Sequence, residues 1–304
     1  MITVSTSAFY DRSNTDLGTL RARADALQAS IASGQRLGKS SDDPVAAARI
    51  RSLTRLDSLA QVDTAIMDRA SGDLGLTDQT LSQFASAVIR VKELATQAAN
   101  GVLSAVQRAG IGTEIDQIYS QLGQLANARD LAGHALFGGD AAGPAYTFDA
   151  SGNPVYAGTA MASALPLGDG QTVTRGLTGP EFLNFTGPSG ATNLFAVVKG
   201  LSDALKGGVA DPAQAARDCL NTLDMGLETI TTQQTVVGAR LGWIELNMER
   251  RIQLNEAHSE EEAALGGTDL SLAVSQLQQT MTVLEASQAS FAKLSQLSLF
   301  NFLR

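Results

Sequence analysis

Both ends of this chain carry a heptad seam, and that limits the possible folds more than any other feature. From Leu270 the large apolar residues recur at Val274, Leu277, Met281, Leu284 and Phe291, in steps of four, three, four, three and seven. That spacing lines one face of a helix for pairing with another. Near the start, Leu17, Leu20, Ala24, Leu27 and Ile31 step by three, four, three and four, so the two ends are expected to pair as strands of one coiled coil. The C-terminal stretch has a second property. Between Leu270 and Leu303 only Glu285 and Lys293 are charged, and the other faces hold Gln, Ser, Thr, Ala and further Leu. A solvated helix face carries more charge than this. These faces, with Leu294 and Phe300 among them, are expected to be covered by other subunits, the tail becoming ordered where neighbours surround it.

The chain between the seams goes out and comes back. About fifteen opening residues lack clear periodicity, and after the first seam Gly34 and Gly38 interrupt the helical pattern. Asp43-Pro44 restarts it, with Asp43 as N-cap and Pro44 at the first helical position. The stretch Gly34, Arg36, Asp42, Asp43 and Pro44 reads as a joint. A long helical pattern then runs to about Ala99, with a bend expected near Gly72 and Gly75 and a left-handed stop at Asn100-Gly101. A second helix is expected from about Ser104 to Leu131, closing at Leu136-Phe137-Gly138-Gly139.

Between Gly138 and Gly190 short alternating pieces, Tyr146-Thr-Phe148, Val155-Tyr156 and Thr172-Val173-Thr174, lie among turn signals, which predicts a small β-rich insertion. Helical periodicity resumes near Asn193 and breaks at Gly207-Gly208. Asp211-Pro212 with Gln214 then opens the longest seam: Leu220, Leu223, Leu227, Ile230, Val237, Leu241, Ile244 and Met248. Gly266-Gly267 with Thr268 marks a second joint, expected to face the first. The predicted fold is mainly α with a small β-rich insertion, a long antiparallel helical bundle and coiled coil in which the N- and C-terminal helices pair. Five segments follow: 1–43 and 268–304 as the halves of a terminal coiled coil with its joint, 44–137 and 193–267 as the halves of a helical bundle, and 138–192 as the outer insertion.

The chemistry points away from catalysis. The 304 residues carry a net charge of −9 with no Lys/Arg run, so no nucleic acid and no membrane surface is expected as a partner. No apolar run reaches the length of a membrane span, and the opening Met1-Ile-Thr-Val lacks the form of a cleavable signal. Cys219 is the only cysteine, and His134 and His258 are the only histidines, which rules out a disulfide framework within the chain and leaves little for a zinc site. Asp42-Asp43 could be drawn as a catalytic pair, but Pro44 directly after it makes Asp43 a helix cap. His258 with Glu260, Glu261 and Glu262 could be drawn as a metal cluster, yet no second His or Cys lies at ligand spacing, and a solvated acidic face accounts for it. The glycine pairs lack the pattern of a phosphate loop, and no nucleophile elbow occurs. The expectation is a protein that is not an enzyme and takes no cofactor.

Several stretches together resemble the bacterial flagellin family. They are Gln35-Arg36-Leu37 through Asp42-Asp43-Pro44 to Arg49-Ile50, then Glu93-Leu-Ala-Thr-Gln-Ala-Ala-Asn-Gly101, then Val237-Gly-Ala-Arg-Leu241. Gly242 stands where the family has Asn. Leu136-Phe-Gly-Gly139 and the ending through Phe300-Asn-Phe-Leu303 resemble the branch of that family found where hook meets filament, more than the filament proteins themselves. The likeness covers roughly 1–139 and 193–304. It implies an extracellular, flagellar structural protein exported without a cleavable signal, self-assembling, with a hook-side junction protein and flagellin as neighbours and an export chaperone at the C-terminal helix. A filament-forming flagellin and, from another class, a helical type III secretion effector or enzyme with a coiled-coil stalk remain the alternatives.

Overall fold

The computed structural model describes residues 3–150 and 152–302, and side chains at residue 8, 10–150 and 152–294. It is mainly helical. Three helices come first: α1 (Thr3–Ser33), α2 (Pro44–Ala98) and α3 (Ala105–Ala126). Three antiparallel hairpins follow, β1 (Tyr146–Phe148) with β2 (Pro154–Tyr156), β3 (Ala164–Gly168) with β4 (Gln171–Thr174), and β5 (Asn184–Gly187) with β6 (Gly190–Asn193). The short α4 (Gly179–Leu183) precedes β5. After β6 come α5 (Leu194–Asp203), a π-helical turn at Ala204–Gly208, α6 (Pro212–Gly266) and α7 (Leu270–Phe302).

Side-chain caps set most of the helix starts, because the first N–H groups of a helix have no partner within it. Asp43 Oδ1 accepts from Ala46 N at 3.0 Å, Asp211 Oδ1 from Gln214 N at 3.0 Å, and Asp269 Oδ1 from Leu272 N at 3.0 Å. Asn193 Oδ1 accepts from Ala196 N at 2.8 Å, and Ser104 with Gln107 forms a reciprocal capping box.

Four local expectations differ from the structure. The helix begins at Thr3, inside the opening stretch that lacks periodicity, since a mostly exposed helix needs no continuous apolar stripe. α2 runs unbroken through Gly72 and Gly75, where buried Ala70 and Leu74 offset the roughly 1 kcal/mol each glycine costs. Its end uses no left-handed Gly101; instead Asn100 Oδ1 accepts from Val102 N at 3.2 Å. α3 stops at Ala126 and not at Leu131, because the Asn127 side chain is engaged from both sides by the backbone of Tyr146, at 2.9 Å each way.

Contacts divide the chain into two compact units, Met1–Leu59 with Gln253–Arg304, and Ala60–Ile252. The larger unit holds most of the buried core. On α6 Leu223, Ile230, Val237 and Ile244 are buried at every seventh residue, while Leu220, Leu227, Leu241 and Met248 are partly buried against the same core. Met67, Leu74, Leu81, Phe84, Val88 and Val91 do the same on α2. Leu136-Phe-Gly-Gly139 is the hub of this unit. Phe137 packs with Phe84 and Phe182, ring centroids 6.2 and 4.8 Å away. Its carbonyl accepts from Gly179 N at 2.9 Å and from the Tyr156 hydroxyl at 3.1 Å. Gly139 has φ +63°, and an added Cβ there would run into Thr159, so this motif needs glycine for backbone sign and for space.

Arginines on α6 hold the insertion. Arg240 Nη1 donates to Gly176 O at 2.7 Å, and Arg250 pairs with Asp169 at 2.8 Å. Arg251 Nη2 lies 2.9 Å from Asp63 and 3.2 Å from Leu167 O.

Candidate assembly interface

The smaller unit carries all the residues that the sequence singled out for assembly. α1 and α7 lie side by side, antiparallel, as the contacts at their two ends require. Tyr10 stacks edge-on against Phe291 with centroids 5.5 Å apart, and Gln35 bridges to Gly267. On α1, Leu17, Leu20, Leu27 and Ile31 are half-buried and Ala24 is buried.

On α7 the burial stripe is displaced from the one the large apolar residues suggest. The covered positions include Ala273, Leu277, Thr280, Leu284, Ser287 and Phe291, with Gln276 beside them, again a heptad set. Leu270, Val274 and Met281 stand to one side of it, at 52, 41 and 43% exposure. At 100° per residue, Leu272, Val283 and Leu294 fall on the opposite flank, exposed at 56, 44 and 46%. Small residues at Ala24, Ala273 and Ser287 leave room for close approach, and both flanks of α7 keep large apolar groups in the open. A groove of about 370 Å³ runs here, lined by Leu17, Leu20, Val283, Phe291 and Leu294 among others. The side chain of Phe300 lies outside the described residues.

The two joints meet. Gly34, at φ +70°, ends α1, and its carbonyl accepts from Thr268 N at 2.9 Å. Arg36 N donates to Gly266 O at 2.7 Å, and the Arg36 guanidinium donates to Leu265 O at 2.8 Å. The same guanidinium lies 3.5 Å from Asp43. Asp42 has its own task, accepting from Lys39 N at 2.7 Å. Both acids are thus engaged by backbone, and the amide of Ala46 first, then Arg36, hold the Asp43 carboxyl below the usual carboxylate range. Pro44 opens α2, where its lack of an N–H costs nothing. Gln35 in the bridge and Arg49, paired with Glu261, belong to this joint too. Nothing in local spacing marks the Arg49 pair, since 212 residues separate its partners.

His134 in the larger unit lies beside Asp130, and His258 in the smaller unit lies beside Asp57. Among the described residues no group of three or more His, Cys, Asp or Glu is placed to hold a metal ion. No described helix is long and apolar enough to cross a membrane.

Comparison with known proteins agrees with this arrangement. Residues 4–142 match the bacterial flagellin N-terminal helical region. The chain is 28% identical over 295 residues to flagellar hook-associated protein 3 of Escherichia coli, covering 89% of this chain and 90% of that one. It is 25% identical over 319 residues to the protein of the same name from Salmonella typhimurium, covering 99% of each. Its fold is similar to that of the flagellar junction protein FlgL of Legionella pneumophila, with a TM-score of 0.60 at 16% identity over 72% of this chain and all of that one. The chain is thus similar over nearly its whole length to proteins named flagellar hook-associated protein 3, and over residues 4–142 to the bacterial flagellin N-terminal helical region.

Proposed function

We propose that this protein is the adaptor between hook and filament, polymerising through its terminal helices and working without catalysis or cofactor. One observation supports the reading most. α7 keeps large apolar residues exposed on both flanks of the stripe it buries, in a chain that aligns end to end with a hook-associated protein 3. Apolar flanks of that kind need neighbours, because a helix in water does not leave two such stripes uncovered. In this reading Leu270, Val274, Met281, Leu294 and Phe300 contact adjoining subunits, while Leu17, Leu20, Leu27, Ile31, Leu277, Leu284 and Phe291 hold the pair together. The joint of Gly34, Arg36, Asp42, Asp43, Pro44, Gly266 and Gly267 takes up the mismatch between a curved lattice and a stiffer one. Segments 1–43 and 268–304 act as the terminal coiled coil, 44–137 and 193–267 as the bundle, and 138–192 as the insertion.

The finer partners follow from the same reading: a hook-side junction protein on one side, flagellin on the other, and an export chaperone that covers α7 before assembly. The site of action is the extracellular flagellum. Immunogold labelling along isolated flagella tests the role. A single narrow band between hook and filament is the expected result. Label along the whole filament would make this a filament-forming flagellin, and label absent from the organelle would remove the flagellar role.

A further inference from the structure

The corner between α2 and α3, within the larger unit, carries the one Asn-Gly step in the chain, Asn100-Gly101. Both residues are exposed. Gly101 N makes no hydrogen bond among the described residues, so its electron pair is not committed to the fold. Asn100 Oδ1 accepts from Val102 N at 3.2 Å. That bond holds the carboxamide on the Gly101 side of its own residue and places an N–H on the oxygen that gains charge when Cγ is attacked. Two guanidiniums flank the step: Arg217 Nη1 donates to Ala99 O at 2.9 Å, and Arg108 Nη2 donates to Gly101 O at 3.4 Å. Arg108 Nε is shielded from solvent and has no partner, whereas most shielded donors are paired.

We infer that Asn100-Gly101 is a self-modification site, at which the chain converts its own asparagine to aspartate or isoaspartate with water as the only reagent.

Gly101 N loses its proton to the solvent, and its electron pair forms a bond to Asn100 Cγ. The Cγ–Nδ2 bond breaks, and the side-chain nitrogen leaves with a proton as ammonia. Water then opens the cyclic imide at either of its carbonyls, which leaves aspartate or isoaspartate at position 100. Nothing is oxidised or reduced. The setting favours each stage. The guanidiniums favour the deprotonated nitrogen, since a cation stabilises an anion beside it. The Val102 N–H stabilises the charge on Oδ1 as Cγ becomes tetrahedral. Glycine at 101 leaves the attacking nitrogen unhindered. The product carboxylate stands just past the end of α2, where the helix dipole disfavours it. Arg108 and Arg217 offset that charge, Arg108 with its Nε still to donate. The site is independent of the adaptor reading; on that reading, the converted fraction records how long a subunit has been in place.

Peptide mapping by mass spectrometry of the full chain, held at pH 8 in native buffer and in urea, tests this. Asn100 is expected to lose its amide ahead of every other asparagine, at a native rate at least equal to that in urea, and more slowly at pH 6. Arg108→Gln and Arg217→Gln, each with native helicity by circular dichroism, should slow the native conversion about threefold, the scale of an exposed charge acting on its neighbour, and leave the rate in urea unchanged. Gly101→Ala should slow it in both. Asn100 keeping its amide in the native chain while losing it in urea would overturn the inference, as would native conversion that neither arginine substitution slows.

Discussion

Arg49 and Glu261 meet across 212 residues of sequence as a two-pronged pair, Nε to Oε1 at 2.6 Å and Nη2 to Oε2 at 2.8 Å. The geometry is that of a guanidinium fork on a carboxylate, which lysine cannot reproduce. It ties the first turns of α2 to the last turns of α6, next to the bridge between Gln35 and Gly267. The joint is therefore held by backbone hydrogen bonds, by the Arg36 side chain on Leu265 O and by this fork.

The fork predicts an acid-labile joint. Arg49, chiefly through its hydrogen bonds, holds the Glu261 carboxyl below its ordinary value, and Ala46 N with Arg36 does the same for Asp43. A carboxylate lowered in the folded state contributes stability above its unfolded value and loses it as pH falls through the lowered one. Protection of amides near residues 46–50 and 259–262 should thus hold at pH 6 and decline below about pH 4. Arg49→Lys should show weaker protection at pH 6 and respond less to added salt. Both side chains are well exposed, so the change should be small; a collapse of the whole unit in Arg49→Lys would contradict this account.

Gly139→Ala should destabilise the larger unit by about 1–3 kcal/mol, the cost of placing a side chain in a left-handed, crowded position. Urea unfolding followed by circular dichroism would measure it. Gly133→Ala, which has positive φ but open space around its Cβ, should cost less. Equal costs at the two sites would mean that the contact with Thr159 contributes nothing.

Met281→Lys and Val283→Asp put charges on the two flanks of α7. Each residue is more than 40% exposed, so the folded chain should change by no more than about 0.5 kcal/mol. Polymerisation should fail in both, whereas Leu284→Ala, at a position 7% exposed, should weaken the α1–α7 pair itself. Normal assembly and motility with both charges in place would exclude the flanks from the interface.

Cys219 gives a test that needs no mutation. Burial pushes its thiol up to about 12, and the thiolate is the reactive form. Alkylation at pH 8 should therefore be slow in the native chain and fast in urea, and its rate should report opening of α6 near Leu220. Rapid native labelling would mean that this part of the core is open.

Much of this architecture was legible because period and punctuation are local. Four-three spacing marks which residues share a helix face, and a polar cap before proline marks where α2 and α6 begin. The seam on α6 from Leu220 to Met248 lies as its spacing indicates, whereas Leu136 to Gly139, expected to close the second helix, lies beyond its end at Ala126. The facing of the two joints followed from two matched seams on one chain. Other features depended on atoms distant in sequence. The stripe that α7 buries is displaced because close packing selects small residues at Ala273 and Ser287, while the larger Leu270, Val274 and Met281 remain beside it; hydrophobicity alone ranks those the other way. Asn127 ends α3 only because Tyr146 is there to bind it. Arg49 finds Glu261, and His258 comes to face Asp57, only once α2 and α6 lie together. Periodicity within a segment reports which face will be buried, but the partner residue is chosen by packing between segments, and that is a property of the folded chain.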